Sequence, residues 1–196
     1  MKYQEFEKQI NKPFFTRKDI LLNDLKVYNH QLSNWVKKGY LQRVKKGFYV
    51  FSNKKQSLTP KEISFHLYGP SYISLESALS YYGAIPEIVY SVTCITTKAN
   101  RKFSNVFGNF IYRNIRPNLF WGYNVLETEN SKYLLASKEK ALLDFLYLNR
   151  VDDNGFEELR INGDFLKSID KEKIKAYLKE YNSKKLEKLV FYKILC

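Results

Sequence analysis

The stretch from Thr16 to Phe51, TRKDILLNDLKVYNHQLSNWVKKGYLQRVKKGFYVF, constrains the fold more than any other part of the chain. Thr16 is a good N-cap for a short helix, because its hydroxyl can accept from the free N–H groups of the first turn. Ile20 and Leu21 supply apolar positions, and Asn23-Asp24 is turn chemistry that ends the helix. A second helix fits Tyr28–Lys38, with Leu32, Trp35 and Val36 on one face at i, i+3, i+4 spacing. Gly39 is the expected stop. Leu41–Val44 and Phe48–Phe51 then read as two short strands around Lys45-Lys46-Gly47, a hairpin signal with glycine in the turn.

Helix, turn, helix and hairpin in that order predict a winged helix-turn-helix. The outer face of the second helix carries Asn29, His30, Ser33, Asn34 and Lys37, amides and hydroxyls suited to base edges in a major groove. The expected DNA contacts are base reading by Asn29, His30, Gln31, Ser33 and Asn34, with Tyr28 and Lys37 at the two ends of the helix. Arg43, Lys45 and Lys46 on the wing, with Arg17 and Lys18 at the preceding helix start, would hold phosphates. A protein-docking module is the alternative, since a Lys-Lys turn is often only solvated. Charge favours DNA: residues 1–56 hold 13 Lys/Arg against 4 Asp/Glu, so +9 of the chain's +13 sits there. Concentrated positive charge on a small module is the footprint of a phosphate-binding surface.

The fold class expected is α+β: residues 1–56 as the winged module, 57–150 as a mixed helix and strand domain, and 151–196 as a helical extension packed on it. In the first module a helix over 3–11, with Tyr3, Phe6 and Ile10 on one side, should pack against Ile20 and Trp35. Ser52–Ser57 is polar and basic, a linker. Beyond it Thr59 and Pro60 start a helix that Gly69-Pro70 ends, and a second helix begins near Ser74 and stops at Gly83. Strands are expected over Val89–Thr97, Phe107–Ile115, Trp121–Leu126 and Tyr133–Ala136, with antiparallel pairing because most connections are short. Ser137 caps a helix over Lys138–Leu148, where Lys140 and Asp144 form an i, i+4 pair on its flank. Two or three amphipathic helices follow, one with the stripe Ile174, Tyr177, Leu178, Tyr181.

Little points to catalysis. His30 and His66 have no Cys or carboxylate at ligand spacing, and no phosphate loop or nucleophile elbow occurs. Two cysteines, Cys94 and Cys196, give no disulfide framework or metal spacing. No metal, cofactor or enzymatic activity is expected. The charged N-terminus lacks the apolar core of a signal peptide, and no run of apolar residues is long enough to span a membrane, so a cytoplasmic setting is expected.

The segments FTRKDI, LSNWVKKGYLQRVKKGFYVF, YISLESALSYYGAIPE, FGNFIYRNI and ASKEKALLDFLYL together resemble the AbiEi family, over roughly residues 14–148. These are antitoxin-regulators of type IV (abortive-infection) toxin–antitoxin systems. The family's last motif usually reads Pro-Glu-Lys-Ala-Leu-Leu-Asp, and Lys138 here replaces the proline. The resemblance implies a winged module that represses its own operon at promoter inverted repeats. Because one winged module offers few contacts, two copies are expected on the inverted half-sites, the protein being a monomer or weak dimer that pairs on DNA. It also implies a C-terminal domain that counters a nucleotidyltransferase-like toxin without a stable complex. Glu76, Ser80, Arg113 and Lys140 are the candidate antitoxin surface. Two rivals stand beside this reading: a stand-alone winged-helix repressor whose second domain dimerises or senses a ligand, and a nucleic-acid-processing enzyme.

Overall fold

The computed structural model describes residues 1–195; Cys196 lies outside them. Its first module runs α1 (Tyr3–Gln9), β1 (Phe14–Thr16), α2 (Arg17–Leu22), α3 (Asn29–Lys37), β2 (Leu41–Lys45) and β3 (Phe48–Phe51). Thr16 caps α2 reciprocally: its Oγ1 accepts from the Asp19 N–H at 3.4 Å, and the Asp19 carboxylate accepts from the Thr16 N–H at 2.6 Å. Gly39 and Gly47 take φ of +75° and +80°, the left-handed values their turns require. Phe6 stacks on Trp35 at 5.2 Å, and both join Ile10, Ile20, Leu25 and Leu32 in one core. Leu21, expected to be apolar filling, instead turns outward and is 79% exposed, because only Ile20 on this short helix faces that core.

The unexpected strand β1 joins a three-stranded sheet in the order β1-β3-β2, with Phe14 opposite Val50 and Thr16 opposite Phe48. Strand alternation splits its side chains between two cores. Phe15, Leu41 and Phe51 pack on α1–α3, while Phe14, Val44, Phe48 and Val50 belong to the larger core that continues into the rest of the chain. Ser52–Ser57, read as a linker, is a short 3₁₀ helix. Lys45, His66 and Phe14 tighten the same junction: His66 lies 4.5 Å from the Phe14 ring and shares a 2.8 Å hydrogen bond with Ser131.

Beyond it come α4 (Pro60–Leu67), β4 (Ser71–Ile73), α5 (Leu75–Tyr81), β5 (Ser91–Thr96), β6 (Arg101–Asn105), β7 (Gly108–Asn114), β8 (Tyr123–Glu127), β9 (Lys132–Ala136) and α6 (Lys138–Asn149). The strands form one six-stranded sheet ordered β6-β7-β5-β4-β9-β8. Antiparallel pairing does not hold throughout: β5 runs parallel to β7, and β4 parallel to β9. The reason is that β6 skips one position to the sheet edge and β7 returns between it and β5. Strands β4 and β9 are far apart in sequence, so short connections do not govern them.

Among the described residues, the last segment contains four α-helices rather than two or three: α7 (Asp153–Glu158), α8 (Gly163–Lys167), α9 (Lys171–Tyr181) and α10 (Lys184–Val190), then a π-helical turn over Phe191–Leu195. Asp152, Asn162, Asp170 and Ser183 cap them in turn. Phe156, Phe165, Ile174, Leu178, Tyr181, Leu189 and Val190 enter the same core as the sheet.

Polar contacts bind this segment to α6, and they correct the reading of Lys140. That residue is fully buried, not on a solvated flank. Its ammonium pairs with Asp144 and donates to the Tyr181 hydroxyl at 2.7 Å, within 5.6 Å of the Tyr72, Trp121 and Tyr181 ring centroids. Asp144 also accepts from the hydroxyls of Tyr181 at 2.6 Å, Tyr72 at 2.9 Å and Ser74 at 2.9 Å. Burial lowers the Lys140 pKa, and the Asp144 carboxylate opposes that shift. Burial alone would raise Glu139, but its 2.8 Å pair with Lys173 of α9 and its other hydrogen bonds keep it below the usual range.

Candidate nucleic-acid interface

The helix α3 is set by its two faces. Leu32 and Trp35 are buried, which fixes the rotation of the helix on the core and turns Asn29, His30, Ser33, Asn34 and Lys37 to solvent. Tyr28 sits at the N-cap position, exposed, with its ring parallel to His30 at 5.7 Å. Gln31 differs from its neighbours. Its Oε1 accepts from the Tyr28 N–H at 3.0 Å and its Nε2 donates to the Met1 carbonyl at 3.0 Å, so this amide completes the helix start rather than facing outward. The exposed set is thus two amides, one hydroxyl, one imidazole and one ammonium on a single helical face.

The β2–β3 turn brings cations beside the start of α2. The Arg17 N–H donates to the Gly47 carbonyl at 3.0 Å, and a Cβ at Gly47 would lie 3.7 Å from the Arg17 side chain. Arg17, Lys18, Arg43 and Lys46 are all exposed around this turn. Lys45 departs from the expectation. Because it follows a register shift in β2, its side chain points into the junction and its ammonium donates to the Leu67 carbonyl at the end of α4. Burial, and then the neighbouring Lys98, lower its pKa. An ammonium held in that way is a structural tether before it is a phosphate clamp.

Of the four residues expected on the antitoxin surface, two come together. Glu76 and Arg113 line one groove of about 600 Å³, with Ile85, Ile88, Tyr90, Ile111 and Phe145. Ser80 lines a neighbouring groove of about 460 Å³, separated from the first by the Val89–Ser91 segment that borders both. Arg113 is partly committed, since its guanidinium donates to the Leu148 carbonyl at 2.9 Å and to Asn149 at the C-terminal end of α6. Lys140 is buried and forms no part of any surface.

Sequence reading passed over the β5–β6 connection, Thr97–Asn100, and the start of β6. Lys98, Arg101 and Lys102 there are exposed. The signal available was a run of three cations, TKANRK, with no acid among them. Among the described residues, no group of three or more His, Cys, Asp or Glu side chains is placed to hold a metal ion. Among them too, no helix is long and apolar enough to cross a membrane.

Residues 4–52 match a family model described as "Transcriptional regulator, AbiEi antitoxin". The match spans α1 to β3 and includes both the amide-rich face of α3 and the basic turn. No curated protein matches the chain.

Proposed function

We infer that this chain, whose residues 4–52 carry the AbiEi antitoxin-regulator match, is a winged helix-turn-helix DNA-binding antitoxin that represses its own operon. The observation that carries the reading is the exposed polar face Asn29, His30, Ser33, Asn34 of α3, together with the exposed cations Arg17, Lys18, Arg43 and Lys46 of the same module. In the major groove those amides and the hydroxyl can pair with base edges, while the cations hold the backbone on either side. One module offers few base contacts, so two copies on inverted half-sites supply the specificity a single one lacks. The remainder of the chain neutralises a nucleotidyltransferase-like toxin encoded next to it, without a stable complex, and the protein itself carries out no chemistry.

Two experiments test the two halves. The full chain should protect two inverted half-sites in the duplex upstream of its own reading frame; protection of a single half-site, or none, overturns the repressor reading. The adjacent reading frame should arrest growth when induced alone and be relieved by co-expression with the full chain. Arrest without relief removes the antitoxin role. The rival, a stand-alone repressor with a ligand-sensing second domain, draws support from the groove at Glu76 and Arg113, whose volume of about 600 Å³ is in the small-molecule range.

A further inference from the structure

We propose that Lys98 on the β5–β6 loop and Arg101 at the start of β6 form a second DNA-contacting element that extends the wing's phosphate surface onto the middle domain. The inference rests on the DNA-binding reading above and adds to it a surface outside the winged module.

Three observations carry it. The first is position. The ammonium groups of Lys45, on the wing, and Lys98, on the loop, donate to the carbonyls of Leu67 and Gly69, two residues apart at the end of α4. The wing turn and the loop therefore meet at one point. The second is clustering. Lys98 Nζ and the Arg101 guanidinium both lie against the Tyr68 ring, 5.5 and 6.0 Å from its centroid, and the Tyr68 hydroxyl donates to the Ala99 carbonyl at 3.2 Å. An aromatic platform thus fixes the loop and holds two cations on it. The third is the lack of compensation: among the described residues, Lys45, Lys46, Lys98, Arg101 and Lys102 enter no ion pair with a carboxylate. Like charges gathered around one turn repel each other, and Lys98 helps lower the Lys45 pKa. A polyanion removes that repulsion. Lys98 and Arg101 stand exposed over the Tyr68 ring, an open surface that suits a phosphodiester backbone, while Lys102, next in the strand, turns to the other face of the sheet and lines the Glu76 and Arg113 groove.

The strand β6 is also the sheet edge, where charged residues commonly block edge-to-edge pairing. That role needs charge but no DNA, so the test is the salt dependence of DNA binding. The probes are the duplex upstream of the chain's own reading frame and a scrambled duplex of equal length. The variant Lys98→Gln/Arg101→Gln keeps polar side chains of similar reach. The control Lys179→Gln/Lys184→Gln removes the same charge from exposed sites on α9 and α10. The loop variant should lower the slope of log affinity against log salt by about two, which is roughly a 12- to 16-fold smaller loss of affinity between 50 and 200 mM salt. Preference for the upstream duplex over the scrambled one should persist, and the control should keep the wild-type slope. An unchanged slope in the loop variant, with the wild type binding normally, overturns the second element and leaves the winged reading intact. An equal fall in the control assigns the effect to net charge and also overturns it. If the wild type binds neither duplex, the DNA-binding reading and this extension fail together. A thermal midpoint for the loop variant close to wild type shows that the fold is retained.

Discussion

Replacing Asp144 with alanine is the sharpest test of how the chain is held together. The carboxylate sits at 0% exposure and accepts from four donors: the Lys140 ammonium and the hydroxyls of Tyr181, Tyr72 and Ser74. Removing it leaves the buried Lys140 ammonium with one hydroxyl, that of Tyr181, and three aromatic faces. Breaking a buried pair from one side costs about 3–5 kcal/mol, because the partner charge remains desolvated. For a chain of this length that is a fall of roughly 10 °C in Tm. Lys140→Met is expected to cost less, about 1–3 kcal/mol, since Asp144 keeps three hydroxyl donors and the methionine refills the aromatic cage. Urea unfolding followed by circular dichroism measures both, with a change in midpoint at constant slope as the signature of altered stability. A cost below about 1 kcal/mol for Asp144→Ala, or a larger cost for Lys140→Met, would refute the burial and the hydrogen-bond network together.

Gly122 tests the same site from another side: its φ is +77° and an added Cβ would meet the Lys140 chain at 3.1 Å, so Gly122→Ala should cost about 1–3 kcal/mol by urea unfolding. A neutral result would mean that the Gly122 loop is free to move. His66 gives a pH dependence. Burial, with Lys12 next, holds its folded pKa down to about 4 from 6.5, so the unfolded chain takes up a proton that the folded chain refuses. Its contribution is full above about pH 6.5 and is lost as the pH falls towards 4; His66→Phe should flatten the stability profile in that window, and an unchanged profile would contradict the assignment. Deleting residues 171–196 removes Tyr181 and Lys173 from Asp144 and Glu139, and should lower the urea midpoint well below that of the full chain; an unchanged midpoint would contradict the role of these contacts.

What the sequence made legible was local chemistry. Thr16, Thr59 and Ser137 cap their helices as expected, because a cap and its partner lie within three residues of each other. The faces of α3 were readable from spacing alone, since Leu32 and Trp35 recur at helical period and are both buried. Strands β1 and β4 escaped because three residues are too few to show a period, and β6 because RKFSN has one apolar residue on a polar edge. The burial of Lys140 and the direction of Lys45 were not legible for a different reason. A lysine four residues before an aspartate reads the same whether solvated or buried, and the partner that settles it, Tyr181, is 41 residues away from Lys140. The direction of Lys45 depends on a register shift in β2 and on a carbonyl 22 residues further on. Among the expected base readers, Gln31 is withdrawn by its contact with Met1, which no periodicity reports.

The central claim is that α3 reads bases while the exposed wing cations hold phosphates, and one binding measurement separates the two. Full-length wild type, Asn34→Ala and Lys46→Ala are titrated by fluorescence anisotropy against the upstream duplex and its scrambled counterpart over a range of salt concentrations. Asn34→Ala should lose about 1–3 kcal/mol of discrimination with its salt slope unchanged. Lys46→Ala should keep its discrimination and lose about one from the slope on both duplexes. Identical behaviour of the two variants, or discrimination that survives Asn34→Ala, Asn29→Ala and Ser33→Ala alike, would contradict the assignment of α3 as the reading helix.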